Sequence, residues 1–487
     1  MKQLSRREFL RKTGGAALGL GLASSFSAKS YAQIAGANED IRVAVVGCGG
    51  KGADHVNRFS GKKGVRLVKI CDADASHINS RLIIARLKSP TCEGEQDVRK
   101  ILDDKGIDAI VTATPNHWHS LMVVWSCQAG KDIYVEKPAT HNIWEGRKIQ
   151  EAAAKYNRIV QCGMQQRSNP CWTPAFQWAK EGNLGKILYS RGLCYKRRGS
   201  IGKVDGPQQV PATVNYDLWC GPRETEPLMR KNLHYDWHWV WPTGNGDIGN
   251  QGVHQMDVAA WAIGATELPP GVISVGGRFG YVDDGTTPNT QFVVLDYKPV
   301  PIIFEVRGLA DNKETNADAH FKDTPYRVGN ILHCEGGYVV EGSAFDNDKK
   351  RIKTFSSDGG EGHDDNFIKA VRSRKMSDLN APPLTGHISA ACCHMGNISY
   401  RVGQQASPDE IRESVKYDSG GLETFERFVE HLSKNGVDIG KEKAILGPHL
   451  KFDPKTERFA GNGALDEKAN AFLKDSYREP FVIPEKV

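Results

Sequence analysis

A glycine-rich turn is the first place in the sequence where residue types and spacing point to chemistry. Gly47, Gly49 and Gly52 form G-x-G-x-x-G, with Gly50 as a fourth glycine. Because glycine has no side chain, backbone N–H groups there can approach a pyrophosphate at the N-terminus of a following helix. Asp72 lies about 20–25 residues further on, where a carboxylate accepts a hydrogen bond from a ribose 2′-hydroxyl. Together these features predict dinucleotide binding, whereas the glycines alone also fit an ordinary turn.

The carboxylate of Asp72 also predicts which dinucleotide binds. A carboxylate repels a ribose 2′-phosphate, and no Arg or Lys occurs within Ala73–Asn79 to pair with one. NAD is therefore the predicted cofactor, and NADP is disfavoured.

Polar residues also follow two later apolar runs. In an open parallel sheet, ligands bind at the carboxyl ends of the strands. The further cofactor candidates at these positions are Thr114, Asn116, His119, Glu136 and Lys137. Taken singly, Asn116 also fits a helix cap, and Lys137 also fits a solvated lysine at a turn. A lysine directly between a buried strand and a proline is nevertheless unusually placed for a solvated side chain.

Asn250 and His254 lie four residues apart at the start of an apparent helix that runs through Trp261. Helical spacing places their two side chains on one face, where they can act together. Without further context, His254 also fits a core histidine with internal hydrogen bonds.

An aromatic segment precedes this helix. Trp237, Trp239 and Trp241 are two residues apart, so an extended segment would place them on one face. A sugar ring could stack there, with His234 and His238 forming hydrogen bonds to it. A hydrophobic strand packed on the core is the alternative. The two histidines also have the i, i+4 spacing of metal ligands, but no third ligand is evident, so no metal site is predicted.

Alternating apolar and amphipathic stretches must position these residues. Ile41–Val46 is apolar except for Arg42, which is typical of a strand buried on both faces of a parallel sheet. Further strands are predicted at residues 66–71, 108–114, 132–136 and 159–164, with helices between them. This alternation predicts an α/β protein with an N-terminal doubly wound parallel sheet, the Rossmann fold.

A second domain is predicted to begin near Gln165. Leu184–Arg191 is its first expected strand, and Phe292–Tyr297 and Ile302–Arg307 are expected to be adjacent antiparallel strands. Arg167 lies at the start of this domain, where its side chain could face a substrate. The predicted divisions are a signal at 1–32, a nucleotide-binding domain at 38–164, a substrate-binding α/β domain with a large open, mainly antiparallel sheet at 165–403, and an extension at 404–487.

The charge balance argues against nucleic acid as a partner. The chain has 64 Lys and Arg against 58 Asp and Glu, of which residues 1–32 contain six basic and one acidic, leaving 58 against 57. That near-neutral remainder has no basic patch for nucleic acid or acidic lipid. The eleven cysteines show no C-x-x-C spacing and are interpreted as buried thiols.

The N-terminus has the pattern of an export signal. Ser5–Lys12 contains the consecutive Arg6 and Arg7, followed by the apolar run Gly14–Leu22 and by small residues that end at Ala32. The run is too short and too rich in glycine to span a bilayer. We therefore expect twin-arginine export of the folded chain to the periplasm without stable membrane insertion. An uncleaved signal that acts as a membrane tether is the alternative.

Several motifs occur in an order that resembles one known family. They are G-x-G-G-x-G at Gly47–Gly52, T-P-N-H-W-H at Thr114–His119, E-K-P at Glu136–Pro138, the stretch Gly244–Asp257, and the late stretches His363–Arg374 and Gly386–Arg401. Across residues 40–400 the chain resembles the glucose–fructose oxidoreductase/inositol dehydrogenase/MocA (Gfo/Idh/MocA) family. The resemblance implies nicotinamide-dependent redox chemistry at a carbinol of a sugar or polyol. It also implies a homo-oligomer paired through the C-terminal sheet.

The same resemblance implies roles for individual residues. Lys137 matches the family's catalytic lysine and His254 its catalytic histidine, but Asn250 stands where the family usually has an aspartate. An amide can orient an imidazole, although it does not stabilise an imidazolium as a charge does. His254 is thus expected to remove the hydroxyl proton, Lys137 to hydrogen-bond the same oxygen, and Asn250 to orient His254. The expected substrate contacts are Arg167, Trp237, His238, Trp239 and His254.

Three functions remain open from the sequence. The expected one is an exported, NAD-dependent oxidoreductase that transfers hydride between a secondary carbinol of a sugar, glycoside or polyol and a tightly held nicotinamide. The second is an NAD-dependent glycosidase that acts by transient oxidation, elimination, hydration and reduction. The third is a non-catalytic subunit that binds a sugar or the cofactor.

Overall fold

The computed structural model describes residues 40–309, 321–322 and 326–487, and it divides at Val111/Thr112 into two compact units. The predicted twin-arginine segment and the small residues that end at Ala32 lie outside the described residues. Strands and helices alternate in the first unit as the sequence predicts. They are β1 (Ile41–Val46), α1 (Gly50–Ser60), β2 (Val65–Cys71), α2 (Ala75–Ala85), β3 (Glu93–Glu95), α3 (Val98–Asp103) and β4 (Ala109–Thr112), whose last residue belongs to the second unit.

The alternation continues at the start of the second unit. The next elements are α4 (Asn116–Gln128), β5 (Asp132–Val135), α5 (Ile143–Lys155) and β6 (Val160–Cys162). The six strands form a sheet in the order β3-β2-β1-β4-β5-β6, and the pairs β1/β2, β2/β3 and β5/β6 are parallel. This strand order is that of a doubly wound Rossmann sheet, so the predicted fold class is confirmed for the N-terminal part.

Local sequence explains where the helices of this part begin. The Asp74 carboxylate accepts from the N–H of Ser76 at the start of α2, and Asn142 accepts from the N–H of Glu145 at the start of α5. Such side-chain caps satisfy N–H groups that have no partner within the helix. α1 differs, because its N-cap is Gly49 and therefore has no capping side chain.

A twelve-stranded sheet dominates the rest of the second unit. Its strands are β7 (Ile187–Cys194), β8 (Gly271–Gly277), β9 (Thr290–Leu295), β10 (Ile302–Arg307), β11 (Val328–Cys334), β12 (Gly337–Val340), β13 (Ser343–Asp346), β14 (Arg351–Thr354), β15 (Gln404–Ala406), β16 (Ala444–Leu446), β17 (Leu450–Asp453) and β18 (Arg458–Phe459). The main order is β14-β13-β12-β11-β7-β10-β9-β8-β16-β15, with β17 pairing to β8 and β18. The β7/β10 pair is parallel and β9/β10 is antiparallel, so the second predicted sheet is confirmed as large and mixed.

Nine further α-helices accompany this sheet in the described part of the chain. They are α6 (Trp172–Lys180), α7 (Tyr216–Cys220), α8 (Gly246–Asn250), α9 (Gly252–Ile263), α10 (His363–Ser373), α11 (Pro383–Arg401), α12 (Pro408–Val415), α13 (Ser419–Lys434) and α14 (Leu465–Asn470), together with a 3₁₀ turn at Asp236–Trp239. α9 ends at Gly264, which takes the left-handed conformation that glycine adopts without strain.

Helices cover both faces of the large sheet, because alternate residues of each strand point to opposite sides. On one face, Leu332 of β11 packs in a core with Phe176 of α6 and Val258 of α9. On the other, Phe292 of β9 packs in a core with Phe425 of α13. The second face is the one through which the resemblance implies subunit pairing, and over β8 and β9 it is covered by the chain's own α13.

The C-terminal segment lies against α4 and α5 of the same unit. The N–H of Trp144 donates to the carbonyl of Leu473 at 2.9 Å, and Lys148 Nζ donates to the carbonyl of Glu485 at 2.7 Å. The ring of Phe481 packs against that of Trp118, with centroids 5.5 Å apart. The extension therefore completes the surface of these two helices.

Candidate functional site

The glycine-rich turn joins β1 to α1 in the first unit. Gly47 has φ of +80°, a conformation that residues with a side chain rarely adopt. Gly49 is the N-cap of α1, and Gly52 is buried one turn inside it. Gly50 is exposed, and a methyl group at that position would meet nothing within 4 Å. The turn thus presents open backbone at a helix N-terminus, which fits the pyrophosphate of a dinucleotide.

Asp72 follows β2 directly and is tied to the same turn. Its Oδ2 accepts from the N–H of Cys48 at 2.6 Å, and its Oδ1 accepts from the N–H of Asp74 at 2.9 Å. The Nδ1 atom of His77 lies 3.2 Å from Oδ2, and this contact raises the pKa of His77. A carboxylate has about four acceptor sites. The carboxylate is therefore fixed beside the glycines and retains capacity for a ribose hydroxyl.

A cation near the turn was not anticipated from the sequence. Arg81, on α2, donates from Nε to the carbonyl of Cys48 at 3.3 Å. It lies two residues beyond the stretch Ala73–Asn79 in which no basic residue occurs. Only the fold of α2 back toward β1 brings its guanidinium to the glycine turn.

Lys137 and Asn250 form the central contact of the second unit. The ammonium of Lys137 donates to the backbone carbonyl of Asn250 at 2.8 Å, and its distance to the side-chain Oδ1 is 3.4 Å. Lys137 follows β5, and Asn250 is the last residue of α8. The structure therefore brings together two of the three predicted catalytic residues, which are 113 positions apart in sequence.

Charges around Lys137 set its protonation. The pKa of Lys137 is lowered, chiefly because burial disfavours the charged ammonium. The carboxylates of Glu136 and Asp247 act to raise this pKa, and the cations Lys196 and Arg198 act to lower it. A lysine with a lowered pKa exchanges its proton more readily near neutral pH. This suits a group that must hydrogen-bond a reacting oxygen.

The helix predicted to contain Asn250 and His254 is divided in the structure, because α8 ends at Asn250 and α9 begins at Gly252. His254 lies in the first turn of α9 and is half-buried. The Oδ1 atom that was expected to orient His254 lies 3.4 Å from the ammonium of Lys137. An amide, unlike the aspartate of the family pattern, contacts that cation without neutralising its charge.

Contacts with main-chain atoms hold three of the predicted cofactor residues, Thr114, His119 and Glu136. Glu136 is buried, and its Oε2 accepts from the N–H of Lys137 at 3.2 Å. The ring nitrogens of His119 face the carbonyls of Thr114, at 2.9 Å from Nε2, and of Pro138. Burial lowers the pKa of His119. His119, which was predicted to bind the cofactor, faces one carbonyl with each ring nitrogen and so lies between the segments that follow β4 and β5.

Asn116 belongs to a buried amide network. Its Nδ2 donates to Oδ1 of Asn245 at 2.9 Å, and Nδ2 of Asn245 donates to the carbonyl of His141 at 3.0 Å. Asn397 of α11 donates to the carbonyl of Asn245 at 2.9 Å. This network joins the start of α4 to the segment that leads into α8, so Asn116 positions that segment.

The aromatic segment is not extended, which corrects the expectation of one shared face. Asp236–Trp239 forms a 3₁₀ turn, and Tyr235 before it has φ of +67°. Trp237 stacks on His238 with ring centroids 3.6 Å apart. Trp239 is buried. The alternation of tryptophans was compatible with a strand, but a positive φ at Tyr235 turns the chain before a strand can form.

His238 also differs from the expected hydrogen-bonding group for a sugar. Its Nδ1 is bonded to the carbonyl of Tyr235, and burial lowers its pKa to about 3. Lys137 and Arg198 lie near enough to lower that pKa further. His238 therefore stays neutral over the physiological range, and its Nε2 is the nitrogen that remains for a substrate.

Arg167, a predicted substrate contact, has an internal partner. Its guanidinium donates to both carboxylate oxygens of Asp257, with Nε–Oδ2 at 2.9 Å and Nη2–Oδ1 at 2.8 Å. It also lies over the ring of Trp261 at 4.6 Å. Asp257 is 1% exposed at its side chain. The ion pair fixes Arg167 to α9, which limits its freedom to bind a ligand.

An ion pair beside Lys137 was missed by sequence reasoning. Arg198 donates to both oxygens of Asp247, at 3.0 and 2.8 Å, and also to the hydroxyl of Tyr235 at 2.9 Å. Its guanidinium lies over the ring of Trp239 at 5.0 Å. Asp247 lies inside the motif Gly244–Asp257, which was its only sequence signal. Nothing local marks Arg198.

The C-terminal segment reaches the loop that follows Lys137. Asp475 Oδ2 lies 2.7 Å from Nδ1 of His141, and Nδ2 of Asn142 donates to the same oxygen at 3.0 Å. The hydroxyl of Tyr477 donates to Oε1 of the buried Glu145 at 2.9 Å. Through His141, whose Nε2 is 3.3 Å from the carbonyl of Gly244, these contacts extend to the segment before α8.

The Rossmann sheet and its open glycine turn define an NAD-binding protein, and comparison with known proteins shows the family to which it belongs. Residues 41–164 match the model of an oxidoreductase family described as an NAD-binding Rossmann fold, and residues 190–427 match that family's C-terminal alpha/beta domain. The chain belongs to the Gfo/Idh/MocA oxidoreductase family, and its residues 41–164 form that family's NAD-binding Rossmann domain.

Curated relatives match over parts of their length. A scyllo-inositol 2-dehydrogenase (NAD(+)) of Bacillus subtilis is 30% identical over 157 residues, which is 31% of this chain and 44% of the relative. A levoglucosan dehydrogenase of Pseudarthrobacter phenanthrenivorans is 26% identical, over 50% of this chain and 57% of the relative. A glycosyl hydrolase family 109 protein of Parabacteroides distasonis is 26% identical, over 56% and 64%. The chain spans about half the length of the curated relatives it matches.

Solved structures share the fold. A myo-inositol dehydrogenase of Lactobacillus casei in complex with NAD(H) and myo-inositol superposes with a TM-score of 0.51 at 16% identity, covering 74% of this chain and 94% of that one. The WlbA dehydrogenase of Bordetella pertussis gives a TM-score of 0.54 at 18% identity, covering 74% and 97%. Within residues 40–309, 321–322 and 326–487, none of the helices combines the length and hydropathy that a bilayer crossing requires.

Proposed function

We propose that the protein transfers hydride between a secondary carbinol of a sugar or polyol and NAD. The observation that carries this proposal is the ammonium of Lys137, partly buried behind β5 and bonded to Asn250 at 2.8 Å. Oxidation of a carbinol needs a group beside the oxygen that stabilises negative charge and a group that takes the proton. Lys137 and His254 are proposed for these two roles.

The chain's own residues would divide the work between binding and proton transfer. The glycine turn and Asp72 would bind the pyrophosphate and the ribose. Bound NAD supplies the hydride acceptor. Lys137 would hydrogen-bond the substrate oxygen, and His254 would accept its proton. Arg198, held by Asp247, keeps the positive surroundings of Lys137 fixed.

The test begins with the nucleotide. Protein purified without added cofactor is denatured, and any released nucleotide is identified by mass. The native protein is then incubated with NAD and a panel of inositols, hexoses and glycosides while absorbance of the reduced nicotinamide is followed. Reduction that depends on Lys137 supports the proposal. A full panel without absorbance change, in protein that binds NAD, would contradict it.

A redox glycosidase is the second candidate, and the similarity to glycosyl hydrolase family 109 proteins favours it. One of these, from Solibacter usitatus, is 31% identical over 172 residues. Such an activity would use the same hydride transfer twice and leave no net reduction. A chromogenic aryl glycoside cleaved without added cofactor, and without net change at the nicotinamide absorbance, would identify it.

We also propose export through Arg6 and Arg7, and self-association through the large sheet. The tandem arginines support export, and replacement of both by lysine should leave the protein in the cytoplasm. For self-association, α13 covers β8 and β9, so the proposed pairing surface is limited to the β11–β14 end, where Tyr338 and Phe345 stack at 5.2 Å. Light scattering of Tyr338→Lys should show smaller particles than the wild type.

A further inference from the structure

Two ammonium groups are bound to consecutive residues at the end of α8. Lys137 Nζ donates to Asn250, and Lys196 Nζ donates to Oε1 of Gln251 at 2.9 Å. All of these acceptors are neutral carbonyl or amide oxygens. Two positive charges are therefore brought to adjacent positions of the chain without a carboxylate between them.

The carboxylates nearby are used by other groups. Both oxygens of Asp247 are occupied by Arg198, and the Asp247 side chain is 1% exposed. Glu136 is buried and lies next to Lys137. Its negative charge favours the charged form of Lys137, against the larger effect of burial. Asp247 thus compensates the charge of Arg198, and Glu136 compensates that of Lys137. In the described part of the chain, Lys196 contacts no carboxylate.

The ammonium of Lys196 has unused binding capacity. A lysine has three N–H donors, and one of those of Lys196 is used by Gln251. The residue is exposed. Its charge is close enough to Lys137 to lower the pKa of that residue. A neutral sugar hydroxyl gains little from such a charge, whereas a carboxylate forms a charge-assisted hydrogen bond with it.

We propose that the substrate is an acidic sugar or polyol, whose carboxylate pairs with Lys196 while its carbinol is held at Lys137. This inference rests on the proposed hydride transfer and adds the substrate class to it. A carboxylate at that position supplies the negative charge that the cluster of Lys137, Lys196 and Arg198 lacks.

The first test compares acids with their neutral counterparts. Dissociation constants of the NAD-loaded protein are measured by calorimetry for glucuronate, galacturonate and mannuronate, and for glucose, galactose and mannose. At least one uronate should bind about tenfold more tightly than its hexose, and the difference should shrink as salt is raised. Equal affinities for all pairs, or no uronate binding, would overturn the inference.

The second test assigns the effect to Lys196. Lys196→Gln should weaken uronate binding about tenfold more than hexose binding, whereas Lys196→Arg should retain the preference. Lys375→Gln removes an exposed lysine outside this site and should have no effect. Loss of preference in Lys375→Gln as strong as in Lys196→Gln would mean that overall charge, and not this site, binds the acid.

Two further measurements separate the possible explanations. If Lys196 bound a phosphate of NAD instead, Lys196→Gln would weaken NAD in calorimetry without a sugar present, and the inference would fail. If neutral polyols were oxidised as well as uronates, the oxidoreductase would stand and the acidic substrate would be excluded. If uronates bound through Lys196 without any nicotinamide reduction, the site would stand and the proposed hydride transfer would fail.

Discussion

Lys137 donates to both oxygens of Asn250, the backbone carbonyl at 2.8 Å and the side-chain Oδ1 at 3.4 Å. The backbone contact does not depend on the type of side chain, whereas the Oδ1 contact does. Asn250 therefore acts on the lysine of the site in addition to any role toward His254. The side chain at this position tunes the charge of Lys137.

Asn250→Asp should raise the pKa of Lys137, because a carboxylate near an ammonium favours its charged form. The limb of the pH–rate profile that reports Lys137 should move to higher pH, by about one unit. Asn250→Ser, which retains the backbone contact and adds no charge, is the matched control and should leave that limb in place. If the two variants gave the same pH–rate profile, a charge at position 250 would not affect the pKa of Lys137.

Lys137→Met and His254→Ala should each lower turnover by about 10²–10⁴-fold, the usual range for a positioned proton-transfer group. NAD binding, measured by calorimetry, should persist in His254→Ala. The double variant should lose less than the product of the two losses, since groups that act as a unit are not additive. Near-normal turnover in His254→Ala would place the base elsewhere.

NAD should bind more tightly than NADP by about 1–3 kcal/mol, because Asp72 accepts from a hydroxyl and repels a phosphate. Asp72→Ser should reduce the difference. Arg81→Met should weaken NADP alone, because Arg81 is the cation that α2 brings to the glycine turn. Arg86→Met, whose Nε is bonded to the carbonyl of Cys92 at 3.0 Å, is the control. Titration by calorimetry that showed tighter NADP binding in the wild type would exclude Asp72 from the ribose site.

Stability should fall in acid because of buried neutral histidines. Burial lowers the pKa of His117 and of His394 to about 3, against about 6.5 in an unfolded chain. The unfolded state therefore binds protons first, and stability present above pH 6.5 is lost as pH falls toward 3. Each histidine contributes up to about 1.4 kcal/mol per pH unit in that window. Denaturant midpoints should fall less steeply in His394→Gln, and an unchanged slope would contradict this account.

Asp475→Asn should lower the free energy of unfolding by about 1–3 kcal/mol, because it removes a partly buried charge that pairs with His141 and lies 3.0 Å from Arg223. Lys474→Met is the matched control, since Lys474 pairs with Glu485 at the surface and such pairs contribute about 0–1 kcal/mol. Equal losses in the two variants would mean that the Asp475 contacts add nothing beyond a surface pair.

Elements with a strong local pattern were predictable from the sequence. The apolar run of β1 predicts a buried strand whatever its neighbours are, and the structure has the strand at Ile41–Val46. β3 was missed because Glu93–Glu95 has no apolar residue to indicate burial. The aromatic segment was predicted wrongly because alternation fits a strand equally well, and the turn at Tyr235 depends on contacts made elsewhere.

Residues of the site were predictable from the sequence only where they belong to a recognisable motif. Lys137 and Asn250 lie in recognisable motifs, but their bond joins positions 113 apart, and no local signal specifies such a pairing. The same holds for Arg198 and Asp247, and for Lys196 and Gln251. These contacts follow from how the sheet brings the end of β7 to the start of α9, which tertiary packing decides.

The bond between His141 and Asp475 has a consequence for the order of events during synthesis. Its partners are 334 positions apart, so the loop after Lys137 lacks this support until residue 475 has been translated. Chains fold largely from the N-terminus as they are made, and the Rossmann strands can pair well before residue 475 exists. A chain stalled before that residue would thus contain Lys137, Asn250 and His254, while the loop after Lys137 would still lack its bond to Asp475. Completion of this part of the site therefore has to wait for the synthesis of residue 475.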